Sequence, residues 1–274
     1  MNTRKLTMKI TIVGCGNMGL VYARAFIRYN IVKPEDLLLV EKSELRKEEL
    51  KCLAIGAVVT PSDKAIKDSD ILILAVKPQD FKELAPQLKE AIHEEAIVLS
   101  IMAGIRISLL EQMLAHSNIA RAMPNSPVEI GMGITGFSTS KSLNMDQVRK
   151  VENLLSTTGR TVFFEKEEML DAVTALSGSG PAYFFYIVKS MIEAGMKMGM
   201  EEAVAGMLVK QTMLGAFHLV NNANKSLDEL IKTVASKGGT TEAAFSIFQS
   251  NLVGEHIAEG ILAAEKRARE LSSQ

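Results

Sequence analysis

The stretch KITIVGCGNMG, Lys9 to Gly19, decides the fold. Five residues rich in Ile and Val read as a strand, Lys9–Val13, and they run directly into Gly14-Cys15-Gly16-Asn17-Met18-Gly19, a G-x-G-x-x-G element. A helical pattern, Met18–Ile27, leaves it. Glycine-rich hexamers arise by chance; one wedged between a strand and a helix has a physical task at each glycine. The first makes the tight turn, the second lets backbone approach a pyrophosphate, and the third allows helix to pack on strand. The N–H groups opening the helix then face the phosphates. Gly14, Cys15, Gly16, Asn17, Met18 and Gly19 are therefore candidate dinucleotide contacts.

Working outward, further strands are predicted at Leu37–Val40, Ala57–Val59, Ile71–Ala75, Ala96–Ile101 and Ile119–Ala122. Their near-continuous hydrophobicity suits parallel strands buried on both faces. The fold class is α/β, a mostly parallel doubly wound sheet of Rossmann type. Gly131–Phe137 and Thr161–Phe164, flanking a helix at Met145–Ser156, are expected to extend the sheet antiparallel. Glu41 lies 22 residues beyond Gly19, where a carboxylate can accept hydrogen bonds from an adenosine ribose and repel a 2′-phosphate. Its neighbours Lys42, Ser43 and Arg46 would instead bind that phosphate if Glu41 turned away. NADPH and NADH are both candidate cofactors, with a lean to NADH. Ala75, Val76, Lys77 and Pro78 close the fourth strand at the edge where open α/β sheets bind ligands. Ala103-Gly104 and Met123-Pro124-Asn125 hold the equivalent places after the fifth and sixth strands, so Ala103, Gly104 and Asn125 join the cofactor candidates.

After about Glu165 the strand signals fade and apolar residues recur at helical spacing. Helices are predicted at Pro181–Met198, Glu201–Val220, Ser226–Val234 and Thr241–Lys266, and the domains are set at 1–165 and 166–274. Met191, Met196, Met198, Met200, Met207 and Met213 are read as core packing, part of it against a second copy of the chain.

Composition narrows the function. Lys and Arg number 31 against 32 Asp and Glu, so a net charge of −1 offers no field for nucleic acid or an anionic membrane. No uninterrupted apolar stretch is long enough to span a bilayer, and a small-molecule partner is expected. Cys15 and Cys52 have no C-x-x-C spacing, which fits a reducing cytoplasm and suggests neither a disulfide framework nor a metal site. The four histidines, His93, His116, His218 and His256, form no cluster and are read as surface or packing residues.

Three more segments carry a family likeness: Arg121 to Pro127 (RAMPNSP), Leu176 to Tyr183 (LSGSGPAY) and Val234 to Glu242 (VASKGGTTE). In order and spacing they resemble pyrroline-5-carboxylate reductase over almost the whole chain, although Lys237 stands where that family commonly has proline. The resemblance implies a Rossmann domain followed by an all-α substrate-binding and dimerisation domain. It also implies hydride transfer from NADPH or NADH to the C=N bond of a cyclic imino acid, giving proline. It assigns the substrate carboxylate to Ser236, Lys237, Gly238, Gly239, Thr240 and Thr241, with Thr241 hydrogen-bonding the ring nitrogen as the catalytic residue. Ser179, Gly180 and Pro181 fall near the nicotinamide, and Thr233 near the cofactor ribose. A homo-oligomer, at least a dimer, follows as well.

Read from chemistry alone, adjacent glycines let successive N–H groups converge on one anion. The same string also serves as a loop in which Thr240 or Thr241 caps the following helix with no ligand. Reducing an imine needs alignment and a hydrogen bond to the protonated nitrogen rather than a strong acid, and a threonine hydroxyl suffices. Two rival readings remain at this level. One is a 3-hydroxyacid dehydrogenase or imine reductase of related fold, for which Lys189 and Lys210 are the available lysines, neither in a glycine-rich context. The other is a dinucleotide-binding regulatory protein without turnover.

Overall fold

Strand β1, Ile10–Val13, is buried at all four positions, and every other element of the first unit is arranged around it. The structure is a computed structural model and describes residues 8–273. Parallel ladders join β1 to β2 (Leu37–Val40) on one side and to β4 (Ile71–Leu74) on the other. Outside these lie β3 (Ala57–Val59), then β5 (Ile97–Ser100) and β6 (Ile119–Met123), all parallel. β7 (Gly133–Thr139) is antiparallel to β6, and β8 (Gly159–Phe163) pairs with β7 in parallel. Both added strands thus run counter to the other six, as an antiparallel extension requires. The eight-stranded order is β3-β2-β1-β4-β5-β6-β7-β8.

Because successive strand residues point to opposite faces, the continuous apolar runs feed two cores. One joins Ile10, Ile12, Leu39 and Ile73 to Tyr22 and Phe26 of α1 (Asn17–Arg28) and to Val151 and Leu154 of α5 (Met145–Leu155). The other joins Val13, Val40 and Leu74 to Phe81 and Leu88 of α3 (Pro78–Ala91) and to Leu110 of α4 (Ile107–Leu114). Each such Leu, Ile or Phe contributes roughly 1.5–3 kcal/mol when fully buried. α5 starts on a reciprocal cap: Asn144 Oδ1 accepts from the Gln147 N–H at 3.0 Å and Gln147 Oε1 from the Asn144 N–H at 2.9 Å. Helix α2 (Glu44–Leu53) carries the chain from β2 to β3, with Ser43 capping it.

Two compact units result. The first runs to Ser179 and takes in the end of the last helix from Ala264; the second is Gly180–Ala263. The strands end at Phe163, yet the first unit continues through α6 (Met169–Val173), whose Leu170 and Asp171 are buried, and through a π-helical turn, Thr174–Gly178. There the Ser179 N–H reaches back to the Thr174 carbonyl at 2.8 Å. Helix α7 (Gly180–Lys197) follows, with Pro181 in its first turn, where a missing N–H is least costly.

In the second unit α7 packs on α8 (Glu202–Asn222) so closely that a Cβ on Gly195 would come within 2.8 Å of the Ala205 methyl. α9 (Leu227–Val234) and α10 (Thr240–Ser250) follow. The helix predicted as one piece over Thr241–Lys266 is two: α10 stops at Asn251, Leu252 turns left-handed at φ 52°, and α11 runs Val253–Ser272. Nor do the methionines form a core within the chain. All six, Met191, Met196, Met198, Met200, Met207 and Met213, are at least 40% exposed, since this unit has too few helices to cover every apolar face. By length and composition α8 is the one helix among the described residues able to cross a bilayer, but Lys210 interrupts it.

The β7–β8 pair depends on Gly159, whose φ of +147° excludes side chains and whose added Cβ would come 2.6 Å from the Gly133 carbonyl carbon. Gly159→Ala should lower unfolding free energy by at least roughly 2 kcal/mol, read from the denaturant midpoint. An unchanged midpoint would mean that the two strands are not paired in this register.

Candidate active site

The carboxyl ends of β1, β2, β3 and β4 open on one cleft of about 490 Å³. Its walls include Gly14, Cys15, Gly16, Glu41, Lys42, Ala75, Val76 and Lys77, so eight candidates quoted from three separate places in the sequence share a single site. Two of the three glycines do the structural work that their spacing predicts, and the third is left open. A Cβ on Gly14 (φ +94°) would lie 2.6 Å from Val76 Cγ1, and one on Gly19 would press into the Gly14 carbonyl; both are demanded by packing. A Cβ on Gly16 would meet nothing within 4 Å. Gly16 is also the N-cap of α1, with no side-chain cap and no acidic residue in the first turn. The positive end of that helix is thus open to an anion, beside backbone bare enough for one to touch. These residues fit the pyrophosphate of a dinucleotide. Asn17 and Met18 lie in that first turn and do not line the cleft.

Cys15 is fully buried beneath the loop. Burial, with the negative charge of Glu41 adding to it, pushes its thiol up to about 12, so it stays protonated and inert at neutral pH. Glu41 folds into its own turn: Oε1 accepts the N–H groups of Lys42 at 2.8 Å and Ser43 at 3.0 Å. The neighbouring cations are engaged. Lys42 pairs with Asp80 at 3.5 Å, and Arg46 donates to Glu49 at 2.5 Å and to the Cys15 carbonyl at 3.2 Å.

Other wall residues escape a sequence reading. Lys47, with only 8% of its side chain exposed, pairs with Glu44 at 2.7 Å. Thr60 and Pro61 follow β3 at the same edge, and Asp80, Glu83, Leu84 and Gln87 project from α3. The last four had a signal, since their spacing of three, one and three marks one helix face after Pro78.

The remaining cofactor candidates of this unit lie outside the cleft's lining. Pro78 opens α3 with Lys77 as its N-cap. Ala103 is exposed, and Gly104 turns at φ +73° against Leu271. Asn125 is buried, its Oδ1 accepting the Ile134 N–H at 2.9 Å. Ser179 closes the π turn, and a Cβ on nearby Gly178 would come 2.8 Å from Met123 Cε.

In the second unit, Ser236 to Gly239 form a tight turn. The Gly239 N–H donates to the Ser236 carbonyl at 3.0 Å, and Gly238 takes φ +71°. Glu242 Oε2 accepts the Gly238 N–H at 2.6 Å. α10 therefore starts at a Gly239 N-cap with no side-chain cap, so neither Thr240 nor Thr241 acts as the cap that the sequence allows for one of them. Their own N–H groups, in the first turn, have no partner along the helix. Lys237 is exposed, Thr241 half-buried, and the Thr233 hydroxyl donates to the Leu230 carbonyl at 2.6 Å. Gly180 and Pro181 begin α7. Among the described residues no group of three or more His, Cys, Asp or Glu is placed to hold a metal.

Comparison with known proteins places this arrangement. The family model for pyrroline-5-carboxylate reductase dimerisation matches residues 167–271, and that for coenzyme F420-dependent NADP oxidoreductase matches residues 9–104. A pyrroline-5-carboxylate reductase of Pseudomonas aeruginosa is 34% identical over 269 residues, 98% of either chain. A solved pyrroline-5-carboxylate reductase from Coxiella burnetii superposes with a TM-score of 0.87 at 31% identity, over 97% of this chain and 99% of that one. The Plasmodium falciparum pyrroline carboxylate reductase with NADP bound gives 0.86 at 26% identity, over 97% and 98%. With identity of this order along nearly its full length, the chain belongs to the pyrroline-5-carboxylate reductase family.

Proposed function

We propose that this chain reduces the C=N bond of 1-pyrroline-5-carboxylate to L-proline. The observation that carries the reading is the coexistence, in a member of this family, of an open phosphate cradle at Gly16 and a Ser236–Thr241 turn that opens a helix. A bound reduced nicotinamide supplies the hydride. The chain itself holds the dinucleotide, with α1 facing the pyrophosphate and Glu41 at the adenosine ribose. The substrate carboxylate is taken by the N–H groups of Thr240 and Thr241 at the positive end of α10, since those of Gly238 and Gly239 serve the turn. The Thr241 hydroxyl hydrogen-bonds the ring nitrogen and favours its protonated, electrophilic form. Ser236, Lys237 and Gly239 shape the cradle; Ala103, Gly104, Ser179, Gly180, Pro181 and Thr233 complete the cofactor contacts. The rival readings lose ground here. A hydroxyacid dehydrogenase would need a lysine directed at substrate, and Lys189 instead pairs along its own helix with Glu193 at 3.8 Å. A sensor without turnover has no use for a substrate cradle. The second unit assembles with a copy of itself at the helix faces that carry the exposed methionines, in a dimer or a larger homo-oligomer.

Thr241→Ala keeps a residue able to start α10, so fold and dinucleotide affinity should be unchanged. Turnover should fall roughly a hundredfold to a thousandfold, the ~2.7–4 kcal/mol carried by one positioned polar contact in the transition state. Wild-type turnover in this variant would return Thr241 to a structural role.

For the cofactor, NADH is proposed to bind at least as well as NADPH. The supporting observation is that Glu41 is fixed at the end of β2 while Lys42 and Arg46 are already paired. Glu41→Ser should raise affinity for NADPH relative to NADH about tenfold, ~1.4 kcal/mol, read as a ratio of dissociation constants by titration. A wild-type enzyme that strongly prefers NADPH would contradict this role for Glu41.

A further inference from the structure

Five residues from four parts of the chain meet beneath the loop that joins β5 to α4. Arg121 of β6 and Asp171 of α6 are 3% and 2% exposed. Arg121 reaches Glu167 at 2.8 Å and Asp171 at 3.6 Å, and Arg106, at the end of the loop, reaches Asp171 at 3.6 Å. Glu167 Oε1 also accepts the Ile107 N–H, the first of α4, at 2.9 Å. The fifth member is Ser272, the last residue of α11. Its carbonyl accepts from Arg106 Nε at 3.0 Å; its hydroxyl accepts from Arg106 at 3.3 Å and has its single proton within reach of both Asp171 Oδ2 at 3.2 Å and the Arg269 carbonyl at 3.0 Å. Beside it, Leu271 packs on Gly104, whose added Cβ would lie 3.5 Å from that of Leu271.

Two guanidinium groups balance two carboxylates, so the cluster is neutral. A neutral buried network of this kind adds little to global stability compared with an apolar core of the same volume. What it adds is direction, because charge-assisted hydrogen bonds hold their partners at fixed angles as well as distances. Here the partner held is a loop at the carboxyl edge of the sheet, the edge that also carries Gly16.

We propose that the C-terminal end of α11, Leu271 and Ser272, positions the loop Met102–Arg106 for dinucleotide binding, acting through Arg106 and Gly104. Neither residue touches the cofactor; they fix the backbone that does. The inference rests on reading Ala103-Gly104 as part of the dinucleotide site.

Two variants of the full enzyme test it, deletion of residues 271–274 and the milder Ser272→Ala. The deletion should raise the dissociation constant of the reduced dinucleotide about tenfold and Ser272→Ala about threefold, by titration of nicotinamide fluorescence. The KM for the imine at saturating dinucleotide should stay within about twofold, a split that general loosening of the fold would not give. Amide hydrogen exchange should rise at residues 102–107 and stay unchanged in β1. If the deleted chain does not fold, Ser272→Ala decides. Wild-type dinucleotide affinity in the folded variants, even with a lower melting temperature, would overturn the proposal and leave a plain structural staple. If the wild type itself bound no dinucleotide, the reading of the site would fail first, and this inference with it.

Discussion

The contact on which the first unit depends is the one between α1 and the end of β1, where the backbones at Gly19 and Gly14 approach too closely for any side chain. With Gly14 at φ +94°, the chain turns sharply enough for Val76, at the end of β4, to sit against it. That same turn places the first N–H groups of α1 over the sheet edge. Parallel pairing of β2 and β4 on either side of β1 then brings Glu41 to one flank and Ala75–Lys77 to the other. The cleft is thus a consequence of strand order and three glycines. Gly16, bare of neighbours, is where the packing constraint stops and space for a ligand begins.

Much of this was legible in the sequence, for a definite reason. Strands buried on both faces must be apolar throughout, and glycines that admit a backbone cannot be replaced, so both leave marks in one dimension. The break between α10 and α11 leaves none, because apolar residues keep their helical spacing through Asn251 and Leu252 while only the backbone of Leu252 changes. The π turn at Thr174–Gly178 is similarly hidden, since a shift of one residue in hydrogen-bond partner alters no composition. At the site, Lys47 and Thr60 reach the cleft by tertiary folding alone. The glycine turn before α10 looked like a set of free donors; its side-chain partner, Glu242, becomes visible only once the helix brings it back over Gly238.

The methionines teach the complementary lesson. Their helical spacing reads as core packing, part of it against a second copy of the chain, and periodicity does report which faces are apolar. It does not report whether the cover comes from the same chain. In the second unit the faces carrying Met198, Phe217 and Val234 remain exposed, and the match of residues 167–271 to a dimerisation family supplies the physical reason. The division of labour follows: one unit carries the cleft at the sheet edge with backbone bared at Gly16, the other presents helix ends and apolar faces.

Hydride transfer to the imine is tested most directly with a labelled cofactor. Reduced nicotinamide carrying deuterium at its transferable position would be turned over with 1-pyrroline-5-carboxylate and the product analysed by mass spectrometry and NMR. The expected product is proline with one deuterium on the ring carbon that had been double-bonded to nitrogen, in step with loss of reduced-nicotinamide absorbance. Oxidation of the cofactor without that label in proline, or no oxidation at all, would contradict it.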